Sequence, residues 1–313
     1  MKKTILNWLI CPSCLPDEIP LKETIKELSG EDITEGALRC PQCRGTYFIK
    51  DGIADLGPNQ FSDAASFANK YETAPVVSSY LWSHYADILK DDNASDAYRQ
   101  WADLISPHDG LAIDAGAAVG RFTFEMAQKS DFAIGFDNSH AFIRTARSLM
   151  NNRSMSVVLK QEGYMTSEVM LSLPPEWNTE KAEFVIADAL ALPFRTSMAT
   201  SLSSLNLVDK VPVPIKHLQE ANRVIRDEKA QFLISDPFSW SEDVAPEHNW
   251  LGGRKQGPYA SRGQERIMDL LTGEDSFPGP PWVIEAQGHF WWNIRTHTNH
   301  YEHIRSCYIK AKR

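Results

Sequence analysis

Residues 111–121 read LAIDAGAAVGR: an apolar run, Leu111-Ala112-Ile113, closes on Asp114 and passes through Gly116 and Gly120 into a helix-forming stretch, Arg121 to Lys129. A strand that ends this way turns sharply, because glycine has no Cβ and its backbone can come close to a ligand. The helix that follows points its unpaired first N–H groups at the same spot. A tight turn of purely structural origin has the same outline, so the meaning of this stretch depends on its neighbours.

Those neighbours repeat the pattern. A strand Phe132 to Phe136 ends in Asp137, a helix His140 to Met150 carries Phe142, Ala146 and Leu149 on one face, and a strand Glu183 to Ala187 ends in Asp188. The βαβαβ order predicts a parallel sheet with ligands gathered at the carboxyl ends of its strands. Asp114, Asp137 and Asp188 then share one crevice, although any one of them alone reads equally well as a helix cap. An insertion from Asn151 to Lys181 separates the second helix from the third strand. Beyond it the pattern predicts a strand over Ser201 to Val208, a helix over Ile215 to Arg226, a strand over Ala230 to Ser235, and closing strands over Trp282 to Ala286 and Ser306 to Lys312. Cys307, alone in a strand pattern, reads as a core residue.

Upstream, Cys11, Cys14, Cys40 and Cys43 stand as CPSC and CPQC. Two C-x-x-C knuckles offer four thiolates to one tetrahedral ion with no open position, which marks a structural zinc site; two disulfides are the alternative. GTYFIKDGIADL, residues 45–56, alternates like a strand running into a turn at Asp51-Gly52. Gly57-Pro58-Asn59 reads as a linker, followed by helices over about 62–72, 75–89 and 95–105. In the second, Tyr80, Leu81, Tyr85 and Ile88 fall near helical spacing, a stripe that more often packs a core, while His84-Tyr85 is placed to form a lid.

With 313 residues, 42% of them hydrophobic, the chain can bury a full core. Its net charge of −9 offers no footprint for a polyanion, and residues 1–57 carry seven Lys/Arg against nine Asp/Glu. Nucleic acid is therefore disfavoured as a partner. Ile5 to Ile10 is too short for the apolar core of a signal peptide, and no run of about 18 apolar residues exists, so no membrane contact and a cytoplasmic location are expected.

IDAGAAVGRF, IGFDNS, VIADALALPF, LNLVDKV and LQEANRVIRDEKAQFLISDP occur in the order of the motifs of class I S-adenosylmethionine-dependent methyltransferases, which this chain resembles. The resemblance implies an α/β fold, a Rossmann-like seven-stranded mixed sheet with helices on both faces. It implies that Asp114, Gly116, Ala118 and Gly120 wrap the methionyl part of the cofactor, that Asp137 with Asn138 holds the ribose, and that Asp188 with Ala189 meets the adenine. Asn206 and Asp209 would lie near the transferred methyl group, as the catalytic candidates. The four-cysteine segment resembles the zinc ribbons found at the front of some methyltransferases or as their separate activating partners. The expected division is a ribbon over 1–57, a helical lid or linker over 58–110 and a methyltransferase domain over 111–313.

A narrower resemblance rests on YLWSHY at 80–85, LNLVDKV at 205–211, the aromatic loop DPFSWSEDVAPEHNWLGG at 236–253 and the closing FWWNIRTHTNHYEHIRSCYIKAKR. It is to the methyltransferase domain of ovothiol-biosynthesis enzymes, which N-methylates 4-mercaptohistidine. It implies a small flat acceptor, with Tyr80, His84, Tyr85, Trp240, Asn249 and Trp250 as its walls; buried loop anchors are the other reading of the tryptophans. The expected function is methyl transfer to nitrogen on a small imidazole or amino-acid-like metabolite. Methylation of RNA or protein, with the ribbon as docking module, is the alternative; a non-catalytic scaffold is a third. A nicotinamide-dependent dehydrogenase would also place an acid at Asp137, but its G-x-G-x-x-G turn is missing.

Overall fold

The computed structural model describes residues 1–57, 70–257 and 259–313. Pro58 and Asn59 of the expected linker and most of the expected helix over 62–72 lie outside them; the described end of that helix, Lys70–Glu72, is a single 3₁₀ turn. The first unit is a four-stranded antiparallel meander, β1 (Lys22–Ser29), β2 (Asp32–Arg39), β3 (Thr46–Lys50) and β4 (Ile53–Ala54), in that spatial order. Asp51-Gly52 turns β3 into β4, as the alternation predicts.

Helices α1 (Ala74–Tyr85) and α2 (Ala97–Asp103) follow. The chain then alternates: β5 (Leu111–Ala115), α3 (Arg121–Ala127), β6 (Phe132–Asp137), α4 (His140–Asn152), a hairpin of β7 (Ser154–Glu162) and β8 (Met165–Ser172), and β9 (Ala182–Ile186). It continues through β10 (Ala199–Leu205), α5 (Pro214–Val224), β11 (Gln231–Asp236), α6 (Gly263–Thr272), β12 (Val283–His297) and β13 (His300–Lys312). Seven strands form one sheet in the order β12-β13-β11-β10-β5-β6-β9, with β13 antiparallel to both of its neighbours and β11, β10, β5, β6 and β9 mutually parallel. The chain winds outward from β5 to β9, then returns to β10 on the other side of β5. That reversal is the topological switch point at which open α/β sheets leave a crevice.

Alternation along the strands sorts the core into two layers. Leu111, Ile113 and Ala115 of β5 join α5, α6 and the ribbon in one apolar cluster; Ala112 joins α1, α2, α3 and α4 in the other. Helices thus cover both faces, as expected, and the ribbon shares a face with α5 and α6.

Three features go beyond the sequence reading. The insertion is a β-hairpin, with Val157, Leu159 and Leu171 buried and Val158, Met165 and Met170 exposed, the two faces of a half-covered pair. The closing strands are 15 and 13 residues long, because Phe290, Trp292 and Ile294 continue the inward alternation past Ala286. Helix α6 was not anticipated; Ile267, Leu270 and Leu271 bury one side of it and Gly273, at φ +82°, ends it.

Candidate functional site

The ends of β5, β6, β9 and β10 open onto one cavity of about 240 Å³. Gly116 and Ala118 line it from the turn after β5, Asp137 and Asn138 from the end of β6, Asp188 and Ala189 from beyond β9, and Asn206 from beyond β10. The turn is pinned to β6, since the N–H groups of Gly116 and Ala117 both donate to the Phe136 carbonyl at 2.9 Å. Asp137 completes the clasp: one carboxylate oxygen accepts from Ala118 N–H at 3.1 Å and the other from Ser139 N–H at 2.9 Å. Burial nonetheless pushes this carboxyl up to about 6. Asp188 accepts from Leu190 N–H at 2.8 Å. Ala118 at φ +45° and Asn206 at φ +55° adopt left-handed backbone, which costs a side-chain-bearing residue free energy and gathers at functional sites.

Two of the nine expected cofactor residues stand outside the cavity. Asp114 turns inward and accepts from Thr123 Oγ1 at 2.8 Å and Ser203 Oγ at 3.1 Å, so it fixes the strand end without lining the site. Gly120 caps α3 at φ +88°, where a Cβ would meet Phe184 at 2.8 Å. Its glycine serves helix-to-sheet contact.

The opposite wall is aromatic. Tyr80 and His84 reach the cavity from α1, Tyr98 from α2, Phe142 from α4 and Trp292 from β12. Tyr98 Oη lies 2.7 Å from His84 Nε2, and their rings sit 4.2 Å apart. Burial, followed by the Arg121 charge, holds the His84 ring down to about 3, so it is neutral at any ordinary pH. Trp292 Nε1–H donates to Ser306 Oγ at 2.9 Å, and that hydroxyl donates to Asn206 Oδ1 at 2.6 Å, which ties the two walls together. Lys210 stands at the rim, its Nζ 3.0 Å from Asp209.

The remaining expectations are corrected. Asp209 is buried away from the cavity, accepting from Ser239 N–H at 2.6 Å, and cannot face an acceptor there. Tyr85 is a core residue whose hydroxyl donates to the Val119 carbonyl at 2.9 Å. Trp240 and Trp250 stack on each other 6.4 Å apart, and Trp250 Nε1–H is spent on the Ala245 carbonyl. Asn249 donates to the Pro212 carbonyl at 2.9 Å and so touches the site only through Pro212, which lines it. Sequence reasoning missed Tyr98, Phe142, Trp292 and Lys210. Trp292 was within reach of it, through the alternation of FWWNI, whereas Tyr98 depends on how α2 crosses the sheet.

At the far unit, the Sγ atoms of Cys11, Cys14, Cys40 and Cys43 all lie within 4.8 Å of one another, and all four are free thiols. Cys11 to Cys43 and Cys14 to Cys40 are each 3.6 Å, close to the edge of about 3.8 Å that a tetrahedron with Zn–S bonds of about 2.3 Å requires. N–H groups of Cys43 and Gly45 point at Cys40 and Cys43 sulfurs, as around thiolate ligands. The donor set fits a closed zinc site.

The family described as Trm112p-like protein matches residues 2–52. No curated protein matches the chain. A structure solved in a study of the conversion of a disulfide bond into a thioacetal group during echinomycin biosynthesis is 19% identical, over 71% of this chain and 83% of that one, with a TM-score of 0.45. An S-adenosylmethionine-dependent methyltransferase from Methanosarcina mazei is 16% identical over 70% and 97%, TM-score 0.43. A chain from the complex of the Haloferax volcanii Trm112 methyltransferase activator with a methyltransferase is 13% identical over 75% and 98%, TM-score 0.43.

Proposed function

We propose that this chain is an S-adenosylmethionine-dependent methyltransferase that acts on a small, flat acceptor, a nitrogen of an imidazole or amino-acid-like metabolite. The observation that carries the reading is one cavity at the switch point with a polar wall of Gly116, Asp137, Asp188 and Asn206 and an aromatic wall of Tyr80, His84, Tyr98 and Trp292. The polar wall suits the cofactor. Asp137 offers paired acceptors for the two ribose hydroxyls, Asp188 and the Ala189 backbone flank the adenine, and the Gly116–Ala118 turn lets backbone approach the methionyl group. When bound, the cofactor supplies an activated methyl group on a sulfonium.

The chain's own task is alignment and exclusion of water. Aromatic faces fix the plane of a flat acceptor, and the neutral His84 ring, held by Tyr98, is a fixed polar contact beside it. An imidazole nitrogen brings its lone pair ready to react, so no side chain here has to act as a strong base. The structural zinc belongs to the ribbon in this reading, and a cytoplasmic setting suits its reduced thiolates.

Isothermal titration tests the cofactor half: S-adenosylmethionine should bind one to one, and Asp137→Ala should weaken it by at least tenfold. Unchanged binding by that variant would sink the reading. An exposed ribbon edge favours a second reading, methylation of RNA or protein. Strand β1 is exposed along its whole length, with Ile25 and Leu28 presented to solvent. Under that reading Ile25→Glu with Leu28→Glu abolishes methylation of a macromolecule; under the first, turnover of a small acceptor such as 4-mercaptohistidine survives the change.

A further inference from the structure

A second cleft, of about 410 Å³, lies between the start of α1, the β7–β8 hairpin and β12. Its charge is out of keeping with the chain. Arg295 and Lys160 line it, no described carboxylate does, and the molecule as a whole carries −9. Arg295 is 7% exposed, and among the described residues no carboxylate forms an ion pair with it. Its Nη2 donates to the Lys160 carbonyl at 3.2 Å and to Thr298 Oγ1 at 2.9 Å, and its Nε has no partner. Asp91 feels its charge, but that carboxylate is already engaged by Trp82 Nε1–H and Asn93 N–H.

Asp91 thus acts on Arg295 only at a distance, and a buried guanidinium with no direct ion pair and an unpartnered Nε is costly unless something meets it. The start of α1 adds to the deficit. Thr73 caps it with no side-chain bond, its first turn holds no acidic residue, and Ser78 of that helix lines the cleft. Around these polar groups the lining is apolar, with Pro75, Val158 and Tyr164.

We propose that this cleft is a second ligand site for a small organic anion, a phosphate or carboxylate group carried on an apolar body. The anionic group meets Arg295, Lys160 and the α1 terminus, and the body lies against Val158 and Tyr164. No step of the methyl transfer uses these residues, so this site stands or fails apart from the cofactor cavity.

Calorimetric titration of the full chain with phenyl phosphate and with inorganic phosphate tests it. Phenyl phosphate should bind one to one, at least tenfold more tightly than inorganic phosphate, and should weaken with added sodium chloride. Arg295→Gln should abolish binding, Ser78→Asp should do the same with Arg295 intact, and Asp137→Ala should leave it unchanged. No binding of phenyl phosphate to the unaltered protein, equal affinity for the two probes, or wild-type affinity in the Ser78→Asp variant or in a folded Arg295→Gln variant would each overturn the proposal. If Arg295→Gln fails to fold, Ser78→Asp decides.

Discussion

Asp137 and Asp114 each accept two hydrogen bonds that favour the ionised form, yet both carboxyls are pushed up to about 6 by burial. The consequence for stability and the consequence for binding have opposite signs. A folded-state pKa above the unfolded value of about 3.9 means that the folded protein holds its protons more tightly, so the free protein loses stability as pH rises from about 4 through 6. Under the proposed function cofactor affinity should run the other way, because only an ionised Asp137 would offer both oxygens to ribose hydroxyls. Below pH 6 the affinity should fall about tenfold per unit. Calorimetry at pH 5 and pH 7 checks the slope, and Asp137→Asn should flatten it; an Asp137→Asn variant with the wild-type slope would assign the titration elsewhere. His84 does not contribute to this profile, since it stays neutral down to about 3.

Of the elements around the cavity, the parallel strands were the ones the sequence reading placed, and the reason is physical. Asp137 and Asp188 follow directly on apolar runs and Asn206 on the Ser/Leu run of β10, so each position is set by one buried strand and its end. Of the aromatic wall, Tyr80 and His84 were placed, whereas Tyr98, Phe142 and Trp292 were not, because they come from three elements that meet only in three dimensions. The tryptophan loop misled for a related reason: Trp240 and Trp250 stack on each other, and aromatic content alone does not say which face a ring turns to. Helices α1 and α2 bury Leu81, Trp82 and Trp101 in the core, in keeping with the reading of the α1 stripe as core packing. Under the proposed function, Tyr80, His84 and Tyr98 put much of the acceptor's specificity on α1 and α2. Tyr98→Phe removes the bond to His84 and should raise the KM for the acceptor about five- to tenfold, the effect of about 1 kcal/mol, with cofactor affinity unchanged. Trp250→Phe should move neither constant. Steady-state kinetics with a turned-over acceptor distinguishes the two, and equal effects would return the specificity to the loop.

Ribbon and sheet share one apolar core. The chain leaving β4 runs parallel to β9, the sheet's edge strand, with Leu56 N–H donating to the Ile186 carbonyl at 2.8 Å. On the other side Ile10 N–H donates to the Pro193 carbonyl at 3.0 Å, and Ile5, Leu9, Ile33 and Leu56 share a core with Phe136 and Phe194. Arg147 of α4 joins the two units electrostatically, 3.0 Å from Asp32 of the ribbon and paired with the fully buried Glu183 of β9. Removing one partner of such a pair strands the other in a low-dielectric interior, which costs about 3–5 kcal/mol. Arg147→Met should therefore lower the stability of the whole chain by that amount, with the ribbon and the large sheet still unfolding together in urea. Ribbon and sheet can be followed separately, by release of the zinc and by loss of far-ultraviolet circular dichroism. If the two transitions separate already in the unaltered protein, the ribbon is an autonomous module and the shared core contributes little. If they coincide, the metal stabilises the edge of the sheet that carries Asp137 and Asp188, and chelation should weaken cofactor binding without any contact between zinc and cofactor.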